Sequence, residues 1–224
     1  IEKYGTRGQT MNLNLARVNV KQPVFSKILP NHEMLNQHLR ALIENYRTSN
    51  PSSNKTNIKS WHTTYMLHHE EHKFLPFIEH VYDYVKSITK EYYYWTEEID
   101  FACTNFWAAM YEKNDFCLKH AHFPSIFSAV YYVDVEPDAS PIIFGGNIQV
   151  KPENGMLLIF PGDLFHEVPK TKGERIVLAM NFEKLPSKSL MEELITYHQP
   201  NYRSNIDPDP QDEVQHPEYT GAPW

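Results

Sequence analysis

The sequence predicts a mostly β protein with supporting helices, built as an antiparallel sandwich or jelly-roll. Three observations lead to this fold class. Short segments of alternating, β-forming residues follow one another between residues 100 and 183, with turn signals between them. Two segments with helical spacing precede them. The 224 residues, 41% of them hydrophobic, are enough for one substantial core and predict a single domain.

Residues 1–95 are expected to hold N-terminal strands and the supporting helices. Segments 11–15 and 17–20 alternate as strands do, and Pro30-Asn31 opens the first helix. The second helix is expected from near His69 to Lys90, with Pro76 in its first turns, where proline is tolerated best. The apolar stripes are Leu35, Leu39, Leu42 and Ile43 in the first helix, and Phe74, Ile78, Val81, Val85 and Ile88 in the second.

Beyond residue 100 the period of the apolar residues changes from about 3.6 to about 2, the period of strands. We expect about seven or eight short strands, separated by turns such as Gly145-Gly146-Asn147 and Pro161-Gly162-Asp163. The predicted strands are 101–111, 116–122, 126–135, 141–144, 148–150, 156–160 and 175–182. The core that these strands form is expected to cover residues 100–183, in a domain that covers 1–195.

The composition restricts the class of partner. A net charge of −7 argues against a long nucleic acid held through its phosphates. No apolar run reaches the roughly 20 residues of a membrane span, and the N-terminus shows no signal-peptide core. Cys103 and Cys117 are expected to be reduced thiols in a cytoplasmic protein, or in the host cytoplasm if the source is viral. Residues 196–224 read as a Pro-rich acidic extension.

Three histidines form the most informative pattern of the chain. His120 and His122 are two residues apart, so on one strand they point to the same face. His166 follows an apolar strand and a Pro-Gly turn, and it can join the pair if the strands fold back on one another. We therefore predict a metal site with these three ligands, although neutral imidazole suits iron, copper, zinc and nickel alike.

The strand that begins at Arg175 has two unlike faces. Arg175, Val177, Ala179 and Asn181 share one face, and larger apolar residues share the other. An arginine among small residues predicts a pocket wall, and its guanidinium can bind a carboxylate with two hydrogen bonds. On an earlier strand, Asn105, Trp107 and Tyr111 alternate inward, which makes them candidate pocket residues; Asn105, Trp107 and Asn181 are the candidate substrate contacts.

A second histidine cluster, His68-His69-Glu70-Glu71-His72, looks similar to a zinc-protease motif. That motif needs Glu directly after the first histidine, and position 69 is His. We interpret this cluster as the solvated start of a helix.

At the histidines the chain resembles a known family. The run from His120-Ala121-His122-Phe123-Pro124 to Tyr131-Tyr132-Val133 is similar to the HxHPxSxxSGxYY segment of an uncharacterised phage and marine bacterial branch of the 2-oxoglutarate/Fe(II) oxygenases. The second half, with His166-Glu167-Val168-Pro169, Gly173-Glu174-Arg175 and Asn181, resembles the same branch, and prolyl hydroxylases more distantly. The resemblance covers about residues 100–183 well, and the helical region from Trp61 to Val85 loosely.

This resemblance implies a double-stranded β-helix (jelly-roll), Fe(II), 2-oxoglutarate as co-substrate and O2. It implies that Arg175 and Tyr132 bind the distal carboxylate of 2-oxoglutarate, with Tyr111 in the position of a further tyrosine of that site. The expected reaction is hydroxylation of a small-molecule or protein substrate, with release of succinate and CO2.

One residue departs from the superfamily pattern. His122 stands where the superfamily has Asp or Glu, the carboxylate of a 2-His-1-carboxylate site. Three possibilities are open: His122 is a ligand in a neutral three-His site, which we favour; His122 stays off the metal; or a carboxylate such as Asp115 or Glu167 replaces it. Two other functions remain open: a cupin-like three-His metalloenzyme without 2-oxoglutarate, and a non-catalytic jelly-roll interaction module.

Overall fold

The structure is a computed structural model that describes residues 21–53, 57–91, 93 and 99–186. Its helices are α1 His32–Ser49, α2 Leu67–Glu70 and α3 Leu75–Glu91, with a 3-10 turn at His72–Phe74. Its strands are β1 Phe25–Ile28, β2 Ile58–Lys59, β3 Trp61–His62, β4 Phe101–Tyr111, β5 Phe116–His120, β6 Phe127–Val135, β7 Ile142–Phe144, β8 Ile148–Val150, β9 Met156–Pro161, β10 His166–Val168 and β11 Arg175–Lys184.

The strands form two antiparallel sheets. The larger sheet has the order β1-β9-β6-β11-β4-β3, and the smaller has the order β2-β5-β10-β7-β8. Consecutive strands of the chain alternate between the sheets at several points, because β5, β7, β8 and β10 belong to one sheet and β6, β9 and β11 to the other. This arrangement confirms the predicted fold class, a mostly β jelly-roll with supporting helices.

The helices cover the outer face of the larger sheet. Leu39 and Ile43 of α1 and Val81 of α3 are buried in one hydrophobic cluster with Phe106 of β4 and Leu178 of β11. These helix residues belong to the stripes that the sequence predicts, and helical spacing is what brings them to one side. The helices thus pack against one face of β4 and β11, and the residues of the site lie on the opposite face of these strands.

A second hydrophobic cluster fills the space between the two sheets. Tyr132 of β6, Phe160 of β9 and Phe144 of β7 are buried there, together with Val177 of β11. On β11 the residues of the other face, Ile176 among them, belong to the cluster under the helices. The two predicted faces of this strand are thus confirmed, and the face that begins with Arg175 looks into the sandwich.

The second predicted helix is not continuous. Glu71 has an extended backbone (φ −136, ψ 94), which interrupts the helix after Glu70, and its side chain accepts a hydrogen bond from the Lys73 amide at 3.2 Å. The long helix therefore begins only at Leu75, with Pro76 in its first turn. His68, expected in solvent, is instead buried against the Phe106 ring, whereas His69, Glu70 and His72 are exposed.

Some sequence-based predictions concern residues that the structure does not describe. The segments 11–15 and 17–20 and the extension 196–224 lie outside the described residues, so the domain bounds stay predictions. Cys103 and Cys117 are both free thiols, as expected. Among the described helices, none is long and apolar enough to cross a membrane.

Candidate metal centre

Two of the three histidines are brought together by strand pairing in the smaller sheet. His166, the first residue of β10, pairs directly with His120, the last residue of β5, and their ring centroids are 4.4 Å apart. Residues directly opposite on antiparallel strands have neighbouring side chains on the same face. The close approach of these imidazoles is therefore a consequence of the sheet register.

The third histidine, His122, does not lie on the strand on which the sequence predicts it. Strand β5 ends at His120, so His122 does not share a strand face with it. The register shifts between His166↔His120 and Val168↔Cys117, which places a bulge in β5 and turns Cys117 and His120 to the cavity, while Leu118 is 53% exposed. The predicted common strand face of His120 and His122 is therefore wrong.

His122 is held by a turn instead. Its amide donates to the Gly162 carbonyl at 2.6 Å, and its carbonyl accepts from the Ser125 amide at 2.9 Å. Gly162 is required at this point, because a Cβ on it would lie 2.1 Å from the Ser125 carbonyl oxygen. These contacts hold the loop after β5 against the turn after β9, and they place His122 next to His120 and His166.

Each of the three imidazoles has its Nδ1 beside an oxygen acceptor. Nδ1 of His120 lies 2.8 Å from the Leu118 carbonyl, and Nδ1 of His166 lies 3.0 Å from the Leu164 carbonyl. Nδ1 of His122 lies 2.6 Å from Oδ1 of Asn181. An Nδ1–H that donates to these oxygens leaves the lone pair of each ring on Nε2.

The Nε2 atoms, which carry these lone pairs, lie close together. Nε2 of His122 and Nε2 of His120 are 3.0 Å apart, and one ligand atom from each of His120, His122 and His166 lies within 4.8 Å of the others. Two lone pairs facing each other at such a distance repel unless a cation lies near both. The donor chemistry therefore fits a bound metal ion with three neutral nitrogen ligands.

Burial keeps these imidazoles neutral. It lowers the pKa of His166 to about 3, with repulsion from His120 and His122 as further causes. Burial, followed by repulsion from His120, lowers the pKa of His122 to about 4, and burial also lowers the pKa of His120. Metal binding requires the unprotonated ring, so the cluster is ready to bind a cation at neutral pH.

A polar network behind His122 was not recognised from the sequence. Asn181, predicted as a substrate contact, faces the cavity but uses its Oδ1 to accept from His122. The same oxygen accepts from Ser128 Oγ at 2.9 Å, and Asn181 Nδ2 donates to Asn105 Oδ1 at 3.2 Å. Ser128 and Asn105 are the cross-strand partners of Asn181, so the missing information was the strand register.

Neither of the carboxylates considered from the sequence joins the cluster. Asp115 accepts from the Glu112 amide at 2.9 Å and pairs with Lys59 at 3.4 Å. Glu167 follows His166 on β10, so it faces the opposite side of the sheet. Within the described part of the chain, the group with metal-binding geometry consists of the three histidines alone.

Arg175 lies in the same cavity, whose volume is about 350 Å³. Arg175 is 3% exposed, its Nη1 donates to the Ser140 carbonyl at 2.8 Å, and its Cζ lies 4.3 Å from the Tyr111 ring centroid. Its Nε is buried and makes no hydrogen bond in the described structure. Burial raises the pKa of Tyr132, so its hydroxyl stays protonated and can donate to a bound anion.

Solved structures share this architecture. A Pseudomonas putida prolyl-4-hydroxylase matches with a TM-score of 0.54 and 17% identity, over 74% of this chain and 94% of the other. A viral collagen prolyl hydroxylase from Paramecium bursaria Chlorella virus-1, in complex with 2OG, matches with a TM-score of 0.52 and 14% identity, over 74% and 96% of the two chains.

A third match is a Burkholderia pseudomallei structure described as an oxidoreductase of the 2OG-Fe(II) oxygenase family, with a TM-score of 0.52 and 14% identity, over 71% of this chain and 85% of the other. This chain has the fold of the 2OG-Fe(II) oxygenases. Neither a protein-family model nor a curated protein matches the sequence.

In this oxygenase fold, one group of aromatic residues lies on the β3–β4 side of the cavity. Trp107 of β4 is 7% exposed, as expected from its predicted inward position, and its ring centroid lies 5.6 Å from that of His122. Tyr65 meets the Trp107 ring edge-on at 5.1 Å, and His62 stacks on it at 6.0 Å. Tyr65 and His62 were not predicted, because the short segment that carries them has no strong period.

Proposed function

We propose that the chain is an Fe(II)- and 2-oxoglutarate-dependent oxygenase that hydroxylates a C–H bond, with release of succinate and CO2. The observation that supports it most is the location of two unlike groups in one cavity. Three Nε2 atoms converge in it, and a buried arginine with an unbonded Nε lies in its wall. The oxygenase fold found in the solved structures agrees with this arrangement.

His120, His122 and His166 would hold the metal. Their Nδ1 contacts fix the ring orientation and the tautomer, which is the usual task of the partners behind a metal ligand. Iron, when bound, supplies the redox chemistry of O2, which protein side chains cannot supply. The chain would provide three neutral nitrogen ligands to this metal.

Arg175 and Tyr132 would bind the distal carboxylate of 2-oxoglutarate. The guanidinium is anchored by Ser140 and by the Tyr111 ring, so it is oriented before the co-substrate arrives. A carboxylate beside it would give the buried Nε an acceptor. Val177 and Ala109 line the cavity as well, and they exclude water from the aliphatic part of the co-substrate.

The test is anaerobic Fe(II) binding with and without 2-oxoglutarate. We expect a weak visible charge-transfer band when both are present, and succinate release after O2 is admitted. In Arg175→Ala the band should require at least tenfold more 2-oxoglutarate, because a buried charge-assisted pair is lost. Arg40→Ala is the matched control, since Arg40 pairs with Glu44 and Asp134 outside the cavity. Equal titration curves for Arg175→Ala and wild type would contradict the proposal.

A second candidate is a cupin-like three-His metalloenzyme that does not use 2-oxoglutarate. The observation in its favour is that the metal-binding group of the described residues contains no carboxylate. In that case Arg175 would bind the carboxylate of the substrate itself. Iron binding without a charge-transfer band at any concentration of 2-oxoglutarate would favour this candidate. Failure to bind metal after reconstitution would favour a non-catalytic module.

A further inference from the structure

The inward face of β11 carries opposite charges at its two ends. Arg175 is its first residue and Glu183 lies near its end, and both line the cavity. Eight residues of strand span about 26 Å. Asn181, which contacts His122, lies between them and two residues from Glu183. A ligand that occupies the cavity beyond the histidines, away from Arg175, therefore meets a carboxylate.

Glu183 has the contacts of a binding residue. It is half-buried, and its Oε1 accepts from Thr104 Oγ1 at 3.2 Å. Its Oε2 makes no hydrogen bond within the described residues, and no lysine or arginine of that part pairs with it. A carboxylate oriented by a neighbouring hydroxyl and left without a cation favours a cationic ligand.

The surroundings of this part of the cavity also favour a cation on an apolar chain. The rings of Tyr65 and Trp107 line it, and such rings attract an ammonium or guanidinium group to their faces. Asn105 adds an amide at the same level as Asn181. Of the described cavity residues other than histidine, Arg175 and Glu183 carry the formal charges, so no positive side chain opposes a cation near Glu183.

We infer that the substrate carries a primary ammonium or guanidinium group on an aliphatic chain, and that Glu183 binds this cation. The rings of Tyr65 and Trp107 then cover the aliphatic part, and a carbon of the chain lies beside the three histidines. This inference deepens the proposed function and rests on it for the oxidation, whereas the recognition of the cation by Glu183 requires neither iron nor 2-oxoglutarate.

The first experiment measures binding to the metal-free protein, so it does not depend on iron or 2-oxoglutarate. n-Butylammonium and 1-butanol, which have similar chains and different charge, are titrated while the indole N–H signal of Trp107 is followed by NMR. A Trp107→Phe variant assigns that signal among the four tryptophans. We expect n-butylammonium to bind about tenfold more tightly than 1-butanol.

Glu183→Gln should remove this difference, because it keeps the shape of the side chain and removes its charge. Glu153→Gln is the matched control: it makes the same change of net charge at an exposed residue outside the cavity. Equal binding of the two probes to wild type, or an unchanged preference in Glu183→Gln, would overturn the inference. Wild type tests the charge preference even if the variant proves unstable.

A second experiment separates the source of the cation from the chemistry of the site. Succinate release is measured with L-lysine, L-arginine and capped lysine and arginine tripeptides, against the norleucine equivalents. Stimulation by the basic compounds that is lost in Glu183→Gln supports the inference, and the better of free amino acid or peptide identifies the source. Succinate release that the norleucine compounds stimulate equally would reject Glu183 as the specificity residue while leaving the proposed function intact.

Discussion

Removal of the Asn181 side-chain amide is the most direct test of how the histidines are held. Oδ1 of Asn181 lies 2.6 Å from Nδ1 of His122, in a position where Asn181 is 8% exposed. Loss of such a partner behind a metal ligand typically lowers metal affinity about 10- to 100-fold. Ser128 Oγ lies 3.0 Å from the same Nδ1 and can replace the lost acceptor. We therefore expect Asn181→Ala to lower the metal affinity about tenfold, and the double variant with Ser128→Ala to lower it about 100-fold.

The assay is competition for Co(II) between the protein and a coloured chelator, with thermal unfolding measured in parallel. Asn105→Ala is the control, because Asn105 contacts Asn181 Nδ2 at 3.2 Å but not the imidazole; we expect less than a threefold effect. Asn181→Asp should bind Co(II) at least as tightly as wild type, since a carboxylate is a stronger acceptor. Wild-type affinity in Asn181→Ala, or an equal loss in Asn105→Ala, would refute the reasoning.

Three further predictions concern the turn at Gly162, the stability of the protein at acidic pH and the hydrophobic core around Phe106. Gly162→Ala should lower Co(II) affinity, because the added Cβ would lie 2.1 Å from the Ser125 carbonyl oxygen and displace the turn that carries His122. Gly146→Ala is the control: its added Cβ would meet no atom within 4 Å, so the positive φ of 83° should lower stability without changing Co(II) affinity. The metal-free protein should lose stability as the pH falls from about 6.5 toward 4, by about 3 kcal/mol from His122 alone, measured by urea unfolding. Stability falls with pH because a pKa lowered to about 4 keeps the His122 ring neutral in the folded protein, while the ring of the unfolded chain binds a proton. A free energy of unfolding that does not change over this pH range would contradict the prediction. Phe106→Ala should cost about 3–5 kcal/mol in the same assay, since Phe106 is fully buried between α2, the 3-10 turn and the sheet, and a cost under 1 kcal/mol would contradict that packing.

The parts of the fold that could be predicted are those with a strong local period. The alternation of β11 places Arg175 and Asn181 on one face and the apolar residues on the other, and both faces are found as predicted. Likewise, the apolar stripe predicted for α1 contains Leu39 and Ile43, which are buried in the structure. In each case the periodicity follows from burial on one side, so the sequence contains the information directly.

The parts that could not be predicted depend on single residues or on register. The bulge between Cys117 and His120 changes the face of β5, and no composition signal marks it. Strand β10 has three residues, too few to show a period. Ser128 and Asn105 meet Asn181 only because three strands align in one register, which a single sequence does not reveal. Glu183 is different: it continues the alternation of β11 and could have been found.

In the proposed oxygenase, the charges of the site would make the binding of the metal and the binding of 2-oxoglutarate depend on each other. Three neutral imidazoles offset none of the charge of a divalent cation, and Arg175 adds another positive charge to the same cavity. A site with one carboxylate ligand would offset part of it. A 2-oxoglutarate dianion bound as proposed would compensate both positive charges, so each ligand should raise the affinity of the other by the same factor, within the range of about 5- to 150-fold that is usual for such coupling. Calorimetric Co(II) titrations with and without 2-oxoglutarate measure this factor, and a value near one would mean that 2-oxoglutarate does not bind beside the metal.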